Sequence, residues 1–364
     1  MQASSQKHFA YVGSRTTRER NARGVGLSVY EVDPGSVEWK LVQVLEDLVN
    51  PSFLAFDRKQ EMLYSVHGDR SEISAFRIAP RTGKLTLVNQ ESTGGKNPVH
   101  LCIDLGNRFV VVANHITSSL AVLPLGADGA LGKLCDLVTL AGNLGPHRVE
   151  QPFPKPHQVL FDRADRFIAV PDKGLDRTFV YRLDTAQGKL LPVEGATAPA
   201  QENAGPRHIV FHPSNAFAYV INELSSTVTA CRFEPETGKL TPFQVVPSLP
   251  DTCVRDSRAS EIAITSDGRF VYASNRGFDS VTVYAVEPAT GRLKFVGCQE
   301  VEGKTPRFIA LGPAEDTLFV ANEDSDEILD YAIDAESGKL ELRGSAAKTG
   351  SPVCIVFRPA PIDG

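Results

Sequence analysis

The sequence predicts an all-β fold, a seven-bladed β-propeller of four-stranded antiparallel blades, and three observations carry that expectation. A short apolar strand followed by an alternating Tyr-Val-x-Asn-x-x-x-Ser-x-Val type segment recurs about every 50 residues. A Gly-Lys-Leu or Gly-Arg-Leu hairpin closes six of the repeats. The chain also starts on the second strand of a blade, at His8-Phe9-Ala10-Tyr11-Val12, and finishes on a lone first strand, Pro352-Val353-Cys354-Ile355-Val356-Phe357.

Taken in order, each repeat opens on a lead-in to its first strand: Pro51-Ser52, Pro98-Val99, Pro156-His157, Pro206-Arg207, Ser260-Glu261, Pro306-Arg307 and Pro352-Val353. An alternating strand pair follows each phase of the repeat, over 9–30, 62–76, 109–123, 167–181, 217–233, 270–284 and 318–331. Period-two alternation of this kind marks strands. The hairpin glycines are Gly83, Gly132, Gly188, Gly238, Gly291 and Gly338, with a degenerate copy near Gly35, Trp39 and Leu41. Glycine supplies the positive φ that such turns require. From Pro51 to Pro352 six intervals cover 301 residues, room for four strands and their turns in each. The last strand is expected to complete the first blade, closing the ring and leaving no long unpaired edge.

The repeat favours one domain spanning residues 1–364, with residues 1–7 as a flexible tail. A formal charge of −6 argues against a general nucleic-acid or anionic-membrane surface, so any anion site must be local. Residues 1–7 lack the apolar core of a signal peptide, and no apolar run approaches the ~18 residues of a membrane span. The protein is read as cytoplasmic. Its six cysteines show no C-x-x-C spacing, several fall within strand patterns, and neither zinc nor disulfide roles are expected. No feature of the sequence sets the oligomeric state.

In an antiparallel pair the start of one strand lies beside the end of the next, so the lead-ins and the ends of the second strands share one face of the disc. That face collects Ser52, His67, His100, Asn114, His115, His157, Asp172, Arg207, His208, Asn222, Glu223, Glu261, Asn275, Arg276, Arg307, Asn322 and Glu323. The opposite face carries plain turn sequence such as His212-Pro213-Ser214-Asn215 and Ser266-Asp267-Gly268-Arg269. Convergent acids, bases and cations around a central depression can bind a small anionic substrate and move protons on it. Arg15, Arg18, Arg20 and Arg23 fall in a loop between the first two strands, read as solvated. The insertion at 251–258 leads into Glu261 and can supply a substrate-selecting cation.

The run Gly205-Pro206-Arg207-His208-Ile209-Val210-Phe211-His212-Pro213, then Asn222-Glu223-Leu224 and Ser274-Asn275-Arg276-Gly277, resembles the seven-bladed lactonase propellers. That group holds the propeller-type bacterial 6-phosphogluconolactonases and the fungal carboxy-cis,cis-muconate cyclases. The likeness extends to Tyr11-Val12-Gly13, Asn50-Pro51-Ser52, Lys155-Pro156-His157 and Val170-Pro171-Asp172-Lys173-Gly174, and so covers essentially the whole chain. It implies a lactone-opening or lactone-closing enzyme without an organic cofactor, its depression lined by His157, Arg207, Glu223 and Arg276. Where relatives commonly carry His-x-His, this chain has Lys155-Pro156-His157. It also has Val66-His67-Gly68 in place of Asn-Glu, and Asn114-His115 in place of Asn-Tyr.

Glu223, held between Arg207 and His208, is expected to be the proton-transfer group, with His157 as its acid or base partner. Arg207 and Arg276 can bind the anion and polarise a lactone carbonyl. His208, Asn275, Arg307, His100, Asp172 and Glu261 are expected to contact substrate. A metal is not expected, because His67, His100 and His115 form no compact metal motif. The leading expectation is hydrolysis of a sugar-acid or phosphosugar lactone. Cycloisomerisation of a muconate-type dicarboxylate, or a non-enzymatic binding platform, are the alternatives.

Overall fold

The computed structural model describes residues 6–361 as seven antiparallel sheets arranged in a ring. Blade 1 is assembled from both ends of the chain, in the order Pro352–Pro359, His8–Ser14, Gly26–Val32 and Lys40–Glu46. Blades 2 to 7 then follow consecutively, their innermost strands being Pro51–Phe56, Pro98–Ile103, Leu160–Phe161, Pro206–Phe211, Arg258–Ile264 and Pro306–Leu311. Innermost strands pack beside those of neighbouring blades, except that blade 4 meets the innermost strand of blade 5 through its second strand, Ile168–Asp172, and the seven blades surround one axis.

The core is divided among the seams. Seven clusters of buried apolar side chains each join residues of two adjacent blades, as Tyr219, Ile221 and Val228 meet Ile262, Val271 and Tyr284 between blades 5 and 6. The second strands are therefore apolar on both faces; Phe217–Asn222 is buried at every position but its first. A repeated latch fastens the outer ends of the seams. Gly291, at φ +70°, leaves no room for a Cβ, which would lie 2.4 Å from the Phe217 ring of the preceding blade. Tyr219 of that blade donates its hydroxyl to the Gly291 carbonyl at 3.0 Å. Tyr11 to Gly83 and Tyr272 to Gly338 repeat the bond at 2.9 and 3.0 Å.

Four details differ from the sequence expectation. Between blades 2 and 3 the latch glycine is Gly129, at φ +82° and bonded by Tyr64, rather than Gly132. Blade 4 carries a fifth short strand, Ala198–Pro199, and its innermost ladder shrinks to two residues plus an isolated Pro156–Asp172 bridge. Pro154, Pro156 and Pro171 lack the amide protons a continuous ladder needs there. In blade 6 Ala259 stands opposite Asn275, as Pro206 stands opposite Asn222, so the lead-in is Ala259-Ser260, one residue earlier than expected. Of the expected tail, residues 1–5 lie outside the described residues. Gln6 donates its side-chain amide to the Ala360 carbonyl and Lys7 pairs with Glu31, so neither hangs free.

Candidate active site

The candidate site begins with a fault in the strand ladder. Just after the lead-in proline the innermost strand gains one residue on its partner: Pro206 faces Asn222, but His208 faces Ile221, leaving Arg207 extra. The same one-residue bulge occurs in blades 2, 3 and 7, where Ser52, Val99 and Arg307 are extra, and in blade 1 at Val353. Ser260 has the equivalent position in blade 6 and His157 in blade 4. A regular strand would send consecutive side chains to opposite faces. The bulge re-aims one of them, so both Arg207 and His208, and both Arg307 and Phe308, line the same depression.

That depression encloses about 320 Å³ of empty space counted to its open mouth. Its lining is Arg15, Ser52, Phe53, Val99, His157, Arg207, His208, Glu261, Arg307, Phe308 and Val353. Phe53 closes the floor with Phe308, their ring centres 6.2 Å apart, and His100 stacks on Phe53 at 3.8 Å.

Three side chains from consecutive blades form a chain of hydrogen bonds along one wall. Glu261 Oε1 lies 2.7 Å from His208 Nδ1, and His208 Nε2 lies 3.1 Å from His157 Nδ1. All three are buried, with 7% or less of each residue exposed. Burial, reinforced by the Arg207 guanidinium, holds both imidazoles well below their ordinary pKa, so they are neutral at physiological pH. Burial also pushes the Glu261 carboxyl up to about 7 against the opposing pull of Arg207.

Glu223 stands in a different setting. Its carboxylate contacts Lys173 Nζ at 3.0 Å, Arg207 Nε at 3.2 Å and Arg276 Nη2 at 3.4 Å. Burial favours its neutral form, but Arg276, Lys173 and Arg207 outweigh that and hold it well below the usual carboxylate range. Glu323 repeats the arrangement, with Arg15 at 2.9 Å and Arg307 at 3.6 Å. Arg15 and Arg207 are pushed down to about 9, by burial first and then by the neighbouring Arg307, and stay cationic at neutral pH.

The expected site residues therefore separate into groups. His157, Arg207, Arg307, His208 and Glu261 meet at the depression, while Glu223 and Arg276 adjoin it through the Glu223 ion pairs. His208 pairs with Glu261 rather than flanking Glu223. His100 lies in the floor, 5.5 Å from the His208 ring. Asn275 and Asp172 lie behind the lining with their side chains engaged within the scaffold. Asn275 bonds Ser248, just past the outer strand of blade 5, and Ser280 of its own blade, and Asp172 Oδ1 accepts the backbone amides of Lys155, Gly174 and Leu175. His67 has both ring nitrogens engaged, by the Val49 carbonyl and Ser74 Oγ. Among the described residues no group of three His, Cys, Asp or Glu side chains is placed to hold a metal ion.

Arg15 and Lys173 were not singled out as site residues. Arg15 is buried at the rim rather than in a solvated loop, and Lys173 reaches Glu223. Both occupy the position that Glu223, Arg276 and Glu323 occupy, next after the residue opposite the lead-in, and that register is the signal that could have found them. Arg258, in the expected cation-supplying insertion, is paired at 2.7 Å with Glu150, which also contacts Lys173 and so ties the wall above blade 4 to blade 6.

Residues 9–357 match the family described as lactonase, seven-bladed β-propeller. The chain belongs to that family. A 6-phosphogluconolactonase of Bacillus subtilis (strain 168) is 33% identical over 353 residues, covering 96% of this chain and 98% of that protein. A 6-phosphogluconolactonase of Formosa agariphila is 31% identical over 342 residues, covering 91% of this chain and 94% of the relative. Among solved structures, the periplasmic gluconolactonase of Pseudomonas aeruginosa superposes with a TM-score of 0.88 at 29% identity, over 98% of this chain and all of that one (100%). These relatives carry lactonase names, which supports lactone hydrolysis and lends nothing to cycloisomerisation. No helix among the described residues is long and apolar enough to cross a membrane.

Proposed function

We propose that this member of the family hydrolyses a small anionic lactone, a sugar-acid or phosphosugar lactone such as 6-phosphogluconolactone, in the central depression. The observation that carries this reading is the convergence of Arg15, Arg207 and Arg307 around His157 in a pocket whose floor is aromatic. Guanidinium groups hold a carboxylate or phosphate bidentately and offset the charge that grows on the carbonyl oxygen during attack. His157, neutral and facing the depression, removes a proton from water as its oxygen bonds to the carbonyl carbon. The tetrahedral oxyanion rests against Arg207 and Arg307. When the ring carbon–oxygen bond breaks, the leaving alkoxide takes the proton back from His157, giving the open hydroxy acid.

Glu223 then serves to neutralise and orient Lys173, Arg207 and Arg276. Three cations within 3.4 Å make its carboxylate a weak base, so it is not the proton acceptor in this reading. The resident partner is the small lactone, with no nucleic acid or membrane involved. Cytoplasmic residence belongs to the same proposal, supported by six free cysteines and tested by cell fractionation. The chemistry is tested with a panel of sugar-acid and phosphosugar lactones followed by pH-stat and NMR. Release of one proton and formation of the hydroxy acid are expected, with kcat reduced about 100-fold or more in His157→Gln. An unchanged rate in that variant would remove His157 from the mechanism.

A further inference from the structure

We infer that Glu261 and His208 form a buried relay that keeps the proton of His157 on Nδ1 and accepts the charge His157 acquires during turnover. The geometry leaves little choice. A carboxylate at 2.7 Å from His208 Nδ1 draws the proton of that ring to Nδ1, which makes Nε2 a lone-pair acceptor. The 3.1 Å contact is then a bond donated by His157 Nδ1, and the lone pair of His157 Nε2 is the one left for the depression. Reversing any link would leave His157 with its proton on Nε2, the wrong tautomer for a base.

The relay is built from one structural position. His208 and Glu261 each follow the bulge residue of their blade, and the equivalent residues elsewhere are Phe53, His100, Gln158, Phe308 and Cys354. Glu261 is the sole carboxylate of that ring. It faces Arg207 and Arg307; His208 faces His100, Arg207, Arg276, Arg307 and Glu223; and His157 faces His115, Arg207 and Arg307. The surrounding guanidinium groups oppose an imidazolium on either ring, so a proton arriving at His157 Nε2 is better held at the carboxylate. The transfer balances. The water proton enters at Nε2, the Nδ1 proton of His157 moves to His208 Nε2, and the Nδ1 proton of His208 moves to Glu261. Departure of the ring alkoxide draws the same proton back out by the reverse path. With Glu261 pushed up to about 7, the carboxylate is free above neutral pH and already filled below it.

Glu261 and His208 act here as positioning residues, and their role in turnover rests on the hydrolase reading above. The first readout needs no turnover: ¹⁵N NMR of the imidazoles at pH 8, assigned by single His→Gln variants. Nδ1–H tautomers are expected at His157 and His208 in the unmutated protein, and a loss of the fixed Nδ1–H tautomer at His157 in Glu261→Leu, which removes the acceptor that Gln would keep, since Oε1 also accepts the Ile262 amide at 3.1 Å. A wild-type His157 carrying its proton on Nε2 overturns the relay. The second readout is the pH dependence of kcat. The wild-type rate should fall as pH drops through about 7, and Glu261→Gln should lose that limb. In that variant kcat should fall about 100-fold with KM changed less than about threefold. Glu261→Asp should restore the limb. A Glu261→Gln enzyme that melts normally, retains its rate and keeps its limb also overturns the proposal. Should the wild type open no lactone while NMR finds both Nδ1–H tautomers, the hydrolase reading fails and the relay stands.

Discussion

In the proposed mechanism His157 rather than Glu223 takes the proton, and the reason is local electrostatics. A buried carboxylate held by three cations is stabilised in its charged form, whereas a buried imidazole among guanidinium groups is stabilised in its neutral, basic form. Glu223→Gln should therefore lower the unfolding free energy by about 3–5 kcal/mol, because it leaves Lys173, Arg207 and Arg276 buried without their counter-charge, a change read from denaturant titration. The sign with pH follows. A carboxyl whose folded pKa lies below its ordinary 4.5 contributes stability that is present above that value and lost as pH falls through the lower one. Unfolding titrations from pH 6 downward should thus converge for wild type and Glu223→Gln. Arg307→Ala should lower kcat as well as raise KM, since Arg307 lines the pocket and in the proposed mechanism carries part of the oxyanion charge. A raised KM with unchanged kcat would limit Arg307 to holding the substrate anion and leave the oxyanion to Arg207.

The bulge and the latch are the elements on which the ring depends, one at each end of the blade. The bulge lets two consecutive side chains reach the axis, and without it the Arg207-His208 pair would be split between the depression and the sheet interior. The latch holds adjacent blades at their outer ends. Tyr219→Phe should cost about 1 kcal/mol, the loss of one buried hydrogen bond, in chemical denaturation. Gly291→Ala should cost more. Its Cβ would meet the Phe217 ring at 2.4 Å and its φ of +70° is unfavourable for alanine, so about 1–3 kcal/mol is expected. Equal stability for Gly291→Ala and wild type would mean that the seam can open without penalty. The bulges were not foreseen, because a proline followed by an apolar run reads the same with or without one extra residue.

Closure of the ring is the property of the entire molecule. Strand Pro352–Pro359 pairs with His8–Ser14 through seven register positions, from His8 opposite Pro359 to Ser14 opposite Pro352. A chain stopped at residue 350 would lose the innermost strand of blade 1, and with it Val353 from the pocket lining and Cys354 and Ile355 from two seams. Such a chain should fail to give the single cooperative thermal transition of the full chain in circular dichroism. A sharp transition at an unchanged temperature would mean that six blades and a remnant suffice.

The count of seven blades, the closure by the terminal strand and the gathering of the lead-in and second-strand-end side chains at one face were all legible in the amino-acid sequence. Each depends on a period, an alternation or an antiparallel connection, and these are set by residues a few positions apart. Arg207, His208, Arg307, Glu261 and His157 share one depression, as that reasoning expects. Which of them touch was decided only by the tertiary structure. His157 and His208 are 51 positions apart, and His208 and Glu261 are 53 apart, yet each pair is within hydrogen-bonding distance at the axis. These contacts between neighbouring blades depend on a one-residue bulge in each innermost strand and on the rotation from blade to blade. The blade 6 lead-in begins at Ala259, where no proline marks the phase. A shift of one residue there changes which side chain meets His208, and the sequence pattern alone is the same for either choice.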